Sequence, residues 1–206
     1  MCTYQTRRRG ALLAVCGWLL AAQAALAMPI TYNFDTFADG TALTGQYAGL
    51  GFAHATVLQA GIGLNEISFP PRSGAGVLYD DGGPIVITFA AGASAVSGYF
   101  TYIDGLTLSA YDSSDRLIAS ATAAWLSNVG DDGGDAGSAP NELLSVTASG
   151  DLIARIVISS AAAGGSLVLD DLTVDTAAVA VPAPGTLPLV MTGLLALAWR
   201  ARRRRR

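Results

Sequence analysis

Lysine is absent from the 206 residues, and the chain has only one histidine and two cysteines. Without lysine, neither a phosphate-binding loop with its lysine nor lysine Schiff-base chemistry is possible. Both cysteines, Cys2 and Cys16, lie in a segment that we interpret below as a signal peptide, so the mature protein would have no disulfide or cysteine nucleophile. The lone His54 would need carboxylate partners to bind zinc. Each of these absences removes a class of enzyme.

Motifs of other enzymes are also missing. No G-x-S-x-G elbow of a serine hydrolase occurs, and the Gly61-Ile62-Gly63 stretch lacks the third glycine of a dinucleotide-binding loop. A glycosidase that uses two carboxylates is an alternative, but Glu66 and Glu142 are the only glutamates. We expect a protein that is not an enzyme, with a surface hydrolase as the alternative.

Positive charge is scarce between the two ends of the chain. All twelve cationic residues are arginines, and nine of them lie in the first ten or the last seven residues. Residues 28–176 contain only Arg72, Arg116 and Arg155 against all sixteen acids, a net charge of −13. A domain this acidic should repel nucleic acid and attract divalent cations. We expect no nucleic-acid partner.

The N-terminal end has the three-part order of a secretory signal peptide. Three arginines precede an apolar run at residues 11–22, and Ala25-Leu26-Ala27 supplies the small residues of a cleavage site. We predict a signal peptide over residues 1–27, with cleavage directed by Ala25 and Ala27. An uncleaved anchor is the alternative, but about twelve apolar residues are short for a bilayer core of about 30 Å.

The C-terminal end combines an uncharged segment with a basic tail. Residues 176–199 carry no charge, and six arginines follow almost at once. Three prolines disfavour a helix over the first half of this segment. We predict a Pro/Ala linker at 177–185, a hydrophobic anchor helix at 186–199 and an Arg-rich tail at 200–206. The positive-inside rule places the tail in the cytoplasm and the domain outside the inner membrane.

This C-terminal end resembles the PEP-CTERM protein-sorting segment of Gram-negative bacteria. The matching positions are Val181, Pro182, Pro184, Thr186, Leu187, Gly193, Arg200 and Arg202. Ala183 departs from the pattern, because the motif has glutamate there, and this weakens the expectation of efficient processing. The resemblance over 181–206 implies recognition by an integral-membrane exosortase and an association with exopolysaccharide and biofilm. A plain single-pass tail anchor is the alternative.

Between residues 28 and 176, short alternating segments are separated by clusters of Gly, Asp, Ser and Pro. We predict strands at 31–34, 51–58, 77–79, 85–89, 96–103, 106–111, 117–123, 143–148, 153–159 and 166–174. About ten strands at this spacing predict an all-β fold, a jelly-roll-like antiparallel β-sandwich.

The same alternation predicts faces and turns. Leu106, Leu108 and Ala110 should share one face of their strand. Asp104-Gly105 is typical of a two-residue hairpin turn, and Asp112–Asp115 has turn chemistry as well. The Gly- and Asp-rich run Gly130–Pro140 is predicted to be the one long loop, and long loops often carry function.

Residues 31–176 also resemble jelly-roll carbohydrate-binding modules, through Phe34-Asp35 near the start and the strand around Asp170-Asp171 at the close. In those modules, acids of the first and last strands often share a structural calcium. The resemblance therefore implies Asp35 and Asp170 or Asp171 as calcium ligands, and calcium takes six to eight oxygen ligands. The alternative is that these aspartates end strands and face water.

Aromatic side chains on strands or loops are the residue types that stack on sugar rings. Tyr79, Tyr99, Tyr102, Tyr111 and Trp125 belong to this set, and we select Trp125, Tyr111 and Tyr102 as candidate ligand-binding residues. We expect an exported, surface-anchored or matrix-associated protein that binds polysaccharide or acts in adhesion. A passive structural matrix protein with no ligand site is the alternative from another class.

Overall fold

The computed structural model describes residues 28–160, 164–176 and Arg203. The predicted signal peptide, the linker and the anchor helix at 186–199 lie outside these residues, as does the predicted tail apart from Arg203. Within the described part of the chain, no helix is long and apolar enough to cross a membrane. The strands described below all belong to one unit, Leu26–Val179.

Eleven strands are found in the described residues, and each pair of neighbouring named strands is antiparallel. In chain order they are β1 (Ile30–Tyr32), β2 (Thr41–Ala42), β3 (Leu50–Ala53), β4 (Ala55–Gln59), β5 (Gly76–Asp80), β6 (Ile85–Tyr102), β7 (Thr107–Tyr111), β8 (Leu117–Thr122), β9 (Glu142–Thr147), β10 (Ile153–Ser159) and β11 (Leu167–Thr176). The predicted all-β antiparallel fold is confirmed.

Strand β6 is the longest strand and takes part in two layers. Its first half, 85–89, lies between β3 and β10, whereas its second half, 95–102, lies between β9 and β11. Gly92 lies between the halves with a φ of 71°, in the left-handed region that glycine adopts easily. The sequence prediction of two separate strands was wrong here, because the chain bends at this glycine without leaving the sheet.

The two layers face each other across one core. The first layer has the order β2-β4-β5-β11-β6-β9, with β1 beside the end of β11, and the second has the order β3-β6-β10-β7-β8. Leu78 and Leu169 of the first layer lie in the same buried cluster as Ile87, Leu108 and Ile156 of the second. Burial of this shared apolar surface is the main force that holds the layers together.

The predicted face of β7 is confirmed. Leu108 and Ala110 are buried, whereas Thr107, Ser109 and Tyr111 are only partly covered. The turn at Asp112–Asp115 joins β7 to its neighbour β8, as its composition predicted. It is closed by the Asp112 N–H, which donates to the Arg116 carbonyl at 3.0 Å.

Two local predictions were wrong because the chain changes layers where the sequence suggested continuity. The predicted strand 51–58 is split at His54, whose φ of 53° separates β3 in the second layer from β4 in the first. Asp104-Gly105 does not form a hairpin, since the strands on either side of it, β6 and β7, do not pair. Gly105 N–H donates instead to the Leu126 carbonyl at 2.5 Å.

The outer face of the first layer is covered by its own chain. Val77 and Val168 alternate with residues of the main core and form a second, smaller cluster with Leu64. Phe69 packs against the same cluster. Leu64 and Phe69 belong to the connection from β4 to β5, residues 60–75, which we call the β4–β5 loop.

Candidate functional site

Two long loops carry the features that could bind a ligand. One is the β4–β5 loop, and the other is the connection 123–141, which we call the β8–β9 loop. The sequence pattern predicted only one long loop, Gly130–Pro140, within the second of these. That prediction was wrong, because apolar residues such as Leu64 and Phe69 give the β4–β5 loop less of the Gly and Asp composition by which a loop is recognised.

Asp170 of β11 holds the β4–β5 loop by hydrogen bonds to its backbone. Its Oδ2 accepts hydrogen bonds from the backbone N–H groups of Arg72 at 2.7 Å and Ser73 at 2.9 Å, and its Oδ1 accepts one from Asp171 N–H at 2.6 Å. The residue is 1% exposed. Burial raises the pKa of Asp170 to about 6, against the opposing effect of these amide donors.

Asp170 and Asp171 lie where β11 exchanges one partner strand for another. Before them β11 pairs with β5, and after them it pairs with β1. Asp171 has a φ of 47°, and the register with β6 shifts at this point, so the two residues form a bulge. The bulge turns the Asp171 carboxylate to the same loop, where its Oδ1 accepts from the Ser73 hydroxyl at 2.8 Å.

Asp35, in the connection between β1 and β2, also holds the end of this loop. Its Oδ1 accepts hydrogen bonds from the backbone N–H groups of Ala75 and Gly76, both at 2.8 Å. A Cβ placed on Gly74 would collide with the Asp35 carboxylate, so this glycine backbone packs directly against it. The three acids singled out in the sequence therefore do converge on one segment, residues 72–76.

The carboxylates as arranged do not fit a calcium ion. Calcium takes six to eight oxygen ligands, yet both oxygens of Asp170 and one oxygen each of Asp35 and Asp171 already accept hydrogen bonds, from the loop and, in the case of Asp170 Oδ1, from Asp171 N–H. Among residues 28–160 and 164–176, no group of three or more His, Cys, Asp or Glu side chains has the arrangement of a metal site. Calcium binding at Asp35, Asp170 and Asp171 stays a prediction.

A cavity of about 340 Å³ lies between the β4–β5 loop and the outer face of the first layer. The residues that line it are Leu58, Gly63, Leu64, Asn65, Phe69, Tyr79, Gly165, Leu167 and Val168. None of them is charged, and four of the nine have aliphatic side chains. The loop, the three acids that hold it and the cavity beneath it thus form one structural unit.

The β8–β9 loop is held by a buried asparagine. Asn128 is 0% exposed. Its Oδ1 accepts from Tyr102 N–H at 2.8 Å, and its Nδ2 donates to the carbonyls of Phe100 at 2.9 Å and Ala139 at 3.1 Å. One side chain therefore ties two parts of the loop to the end of β6.

Two carboxylates fix the part of this loop that contains Trp125. Glu142 Oε1 accepts from Ala124 N–H at 2.9 Å, and Asp135 Oδ2 accepts from Leu126 N–H at 2.8 Å. The backbone is thereby held on both sides of Trp125. The side chain of Trp125 is 38% exposed, and Leu126 beside it is 65% exposed.

Of the three aromatic residues selected from the sequence, only Trp125 is free to stack on a ligand. Tyr102 is 0% exposed, and its hydroxyl donates to Glu142. Burial and the adjacent carboxylate raise the pKa of Tyr102 well above its usual range. The interpretation of Tyr102 as a surface residue was wrong, because alternation along β6 turns it to the core. Tyr111 is half-buried, with the Arg155 guanidinium 3.9 Å from its ring centre.

Sequence reasoning did not identify Asn128 or the buried Asp80. Asp80 Oδ1 accepts from the N–H groups of Ser166 and Leu167 at 2.9 and 3.0 Å, and burial raises its pKa. Both residues lie beside turn-like sequence, where polar residues usually face water. His54 is exposed, and its Nδ1 lies 3.1 Å from the Asp81 carbonyl oxygen.

The predicted cleavage residues Ala25 and Ala27 and the motif residues from Val181 to Arg202 lie outside the described residues. Sequence comparison supports the C-terminal motif alone, and the cleavage site stays a prediction. Residues 180–204 match the PEP-CTERM protein-sorting motif, which confirms the resemblance drawn from 181–206. The motif indicates an exported protein that is sorted to the cell surface by an exosortase-type enzyme. No curated protein matches the chain.

Solved structures with a similar fold have little sequence in common with this chain. The K1 cleaved adhesin domain of Lys-gingipain from Porphyromonas gingivalis W83 is 10% identical with a TM-score of 0.41, and the match covers 72% of this chain and 98% of that chain. The arabinose-bound MgGH51 α-L-arabinofuranosidase is 12% identical with a TM-score of 0.44, over 74% of this chain and 27% of that chain.

A third similar structure contains the CBM22-1–GH10 modules of Clostridium thermocellum endo-1,4-β-D-xylanase 10B, complexed with xylohexaose. It is 14% identical with a TM-score of 0.35, over 79% of this chain and 30% of that chain. Some of these neighbours are enzymes and one is an adhesin domain. At these identities and TM-scores the likeness carries no argument about ligand or activity.

Proposed function

We propose that this chain, exported and sorted through its PEP-CTERM motif, is a non-catalytic protein of the cell surface or extracellular matrix that binds a neutral polysaccharide. The observation that carries the proposal is the exposed Trp125 on a backbone held by Glu142 and Asp135. Aromatic rings supply a large apolar area with few freely rotating bonds. Because the backbone around the ring is fixed, less entropy is lost when a ligand binds.

The charge of the domain favours a neutral polymer over an acidic one. Residues 28–176 carry a net charge of −13, which repels a polymer rich in uronic acid. Within this range the three arginines are already engaged. Arg116 pairs with Asp112 and Asp151, whereas Arg72 and Arg155 lie over the rings of Tyr99 and Tyr111. Arg155 also pairs with Asp115, so two of the three guanidinium groups are already neutralised by acids of the domain itself.

The test is affinity electrophoresis of the full chain, in detergent, through gels that contain neutral polysaccharides or the exopolysaccharide of the host. We expect retardation of the parent protein and loss of retardation for Trp125→Ala. Leu126→Ala is the matched control, because it removes an exposed apolar side chain next to the ring without removing the ring. Trp125→Phe should retain part of the effect.

Two results would contradict this proposal. Equal retardation of the parent and Trp125→Ala would place any polysaccharide site elsewhere. Absence of retardation in every gel, together with self-assembly of the protein, would favour the passive structural matrix protein. Circular dichroism of each variant separates loss of binding from loss of the fold.

We extend the proposal to sorting: the exosortase-type enzyme accepts this chain although Ala183 replaces glutamate, and the domain reaches the surface or the matrix after transient anchoring in the inner membrane. Intact-mass analysis of membrane and medium fractions tests this step. We expect a species that begins at Met28 and ends near Pro184. A species that retains the arginine tail and occurs only in membranes would mean a plain single-pass anchor.

A further inference from the structure

The cavity under the β4–β5 loop is separate from the Trp125 surface and has a different character. Its floor is the outer face of the first layer, with Leu58 of β4 and Val168 of β11, and its cover is Leu64 and Phe69 of the loop. At about 340 Å³ it lies at the small end of the range for ligand sites. It has room for one ring rather than for a length of polymer.

The polar groups of the cavity are few. Tyr79 contributes a hydroxyl that has no hydrogen-bond partner among residues 28–160 and 164–176. This hydroxyl lies beside Gly165, where an added Cβ would come within 3.0 Å of it. Asn65 contributes its side-chain carbonyl, since its Nδ2 already donates to Ser68 at 2.9 Å. One hydroxyl and one carbonyl can serve only a small number of ligand hydroxyls.

The aliphatic walls select against additional hydroxyls. A hydroxyl that enters an apolar site without a partner loses its hydrogen bonds to water and gains none. A methyl group in the same place gains burial. A 6-deoxyhexose combines the two properties that the cavity requires, because it is neutral and has a methyl group where an ordinary hexose has a hydroxymethyl group.

We propose that the cavity binds the terminal 6-deoxyhexose of a polysaccharide, with the methyl group against Leu58, Leu64 and Val168 and with ring hydroxyls at Tyr79 and Asn65. This inference deepens the proposed function and rests on it, because it names the class of sugar. It is independent of Trp125, which lies on the other loop. The cavity binds the terminal sugar of a polysaccharide, and Trp125 contacts sugars within the polymer.

The experiment uses pairs of methyl glycosides that differ only at carbon 6. Methyl α-L-fucoside is compared with methyl α-L-galactoside, and methyl α-L-rhamnoside with methyl α-L-mannoside, by saturation-transfer NMR and calorimetry on the full chain in detergent. We expect one deoxy sugar to bind and its hydroxylated partner to bind at least tenfold more weakly, as expected for one unpaired buried hydroxyl.

Three variants test the location. Tyr79→Phe removes the hydroxyl and keeps the ring, and should weaken binding at least fivefold, whereas Leu58→Trp fills the cavity and should abolish binding. Tyr99→Phe is the matched control, because it deletes the same group from a tyrosine on the same face of the sheet, next to Arg72. It should leave the affinity unchanged, as should Trp125→Ala.

Several outcomes would overturn this inference. They are equal binding of the two members of a pair, binding that Tyr79→Phe and Leu58→Trp do not alter, and binding of cyclohexanol or toluene in place of any sugar. If the polymer is retained through Trp125 but no deoxy sugar binds, this inference fails and the proposed function stands. If no polymer is retained by the parent protein, the proposed function itself fails.

Discussion

The β4–β5 loop and the β8–β9 loop are anchored by the same chemistry but differ in where their aromatic side chain lies. In both, a carboxylate accepts hydrogen bonds from backbone N–H groups of the loop, that of Asp170 in the first and that of Asp135 in the second. Phe69 of the first loop packs against the outer face of the sheet, although Ile62 and Ile67 of the same loop are exposed, whereas Trp125 of the second loop is exposed. An anchored loop can therefore place an aromatic ring either on the sheet or in solvent, where a partner can reach it.

The largest expected effect comes from removing the central anchor of the β8–β9 loop. Asn128→Ala should lower the free energy of unfolding by about 3 kcal/mol, since it leaves a buried N–H and two carbonyls without partners. Urea denaturation measures this change. Asn65→Ala, at an exposed asparagine, is the control and should cost less than about 1 kcal/mol. A similar small loss for Asn128→Ala would mean that the carboxylates alone hold the loop.

The next prediction compares one apolar residue from each loop. Phe69→Ala should lower the free energy of unfolding by about 2 kcal/mol, because Phe69 packs against the cluster on the outer face of the sheet. Leu126→Ala, at a residue 65% exposed, should change it by less than about 0.5 kcal/mol. Equal losses of unfolding free energy in the two variants, measured by thermal or urea unfolding, would mean that packing on the sheet does not distinguish Phe69 from Leu126.

Alternation in the sequence was sufficient to predict most strands and their faces. It failed where one residue changes the path of the chain, at His54 and Gly92, because a positive φ at a single position is not visible in a hydrophobic pattern. Tyr102 was selected as a surface residue by its residue type alone. Alternation along β6 places it in the core instead, where its hydroxyl donates to Glu142, forty residues away in the sequence.

The third prediction concerns pH and the anchor of the β4–β5 loop. Burial raises the pKa of Asp170 to about 6, above the value of about 3.9 expected for an unfolded chain. The folded protein therefore keeps this proton at pH values where the unfolded chain has lost it. This contribution to stability is complete below about pH 4 and is lost as the pH rises through 6. Burial also raises the pKa of Asp80, with the same sign.

The expected size of the effect is about 1 kcal/mol of additional unfolding free energy at pH 5 compared with pH 7. Urea denaturation at the two pH values measures it. Asp170→Asn should remove most of the difference, while Asp104→Asn, at an exposed position, should leave it unchanged. Equal or greater stability at pH 7 would contradict the assigned role of Asp170.

The smallest expected effect is that of calcium. Because most oxygens of Asp35, Asp170 and Asp171 already accept hydrogen bonds from the loop or from Asp171 N–H, a few millimolar calcium should shift the melting temperature by less than about 1 °C, close to no preferential binding to the folded state. A clear rise that Asp35→Asn abolishes would show that the loop releases its carboxylates to the ion. Such a result would support the calcium ligands implied by the resemblance to carbohydrate-binding modules.

The candidate sites were less predictable than the fold for a physical reason. The sequence named Asp35, Asp170 and Asp171 together, and the carboxylates of all three accept hydrogen bonds from residues 72–76. It did not show that their partners are the amides of residues 72–76, since hydrogen bonding to a loop depends on the loop's path. The cavity was invisible for the same reason, as it exists only where that loop lies over the sheet.

The central claim is that Trp125 contacts a polysaccharide, and its own fluorescence tests this most directly. Trp125 is the only tryptophan in residues 28–176, and Trp18 and Trp199 are the others in the chain. The full chain with Trp18→Phe and Trp199→Phe is titrated with the neutral polysaccharide that it binds in gels. We expect a saturable change in emission that Leu126→Ala preserves. Binding of the polymer, shown by co-sedimentation, without any change in emission would contradict the claim.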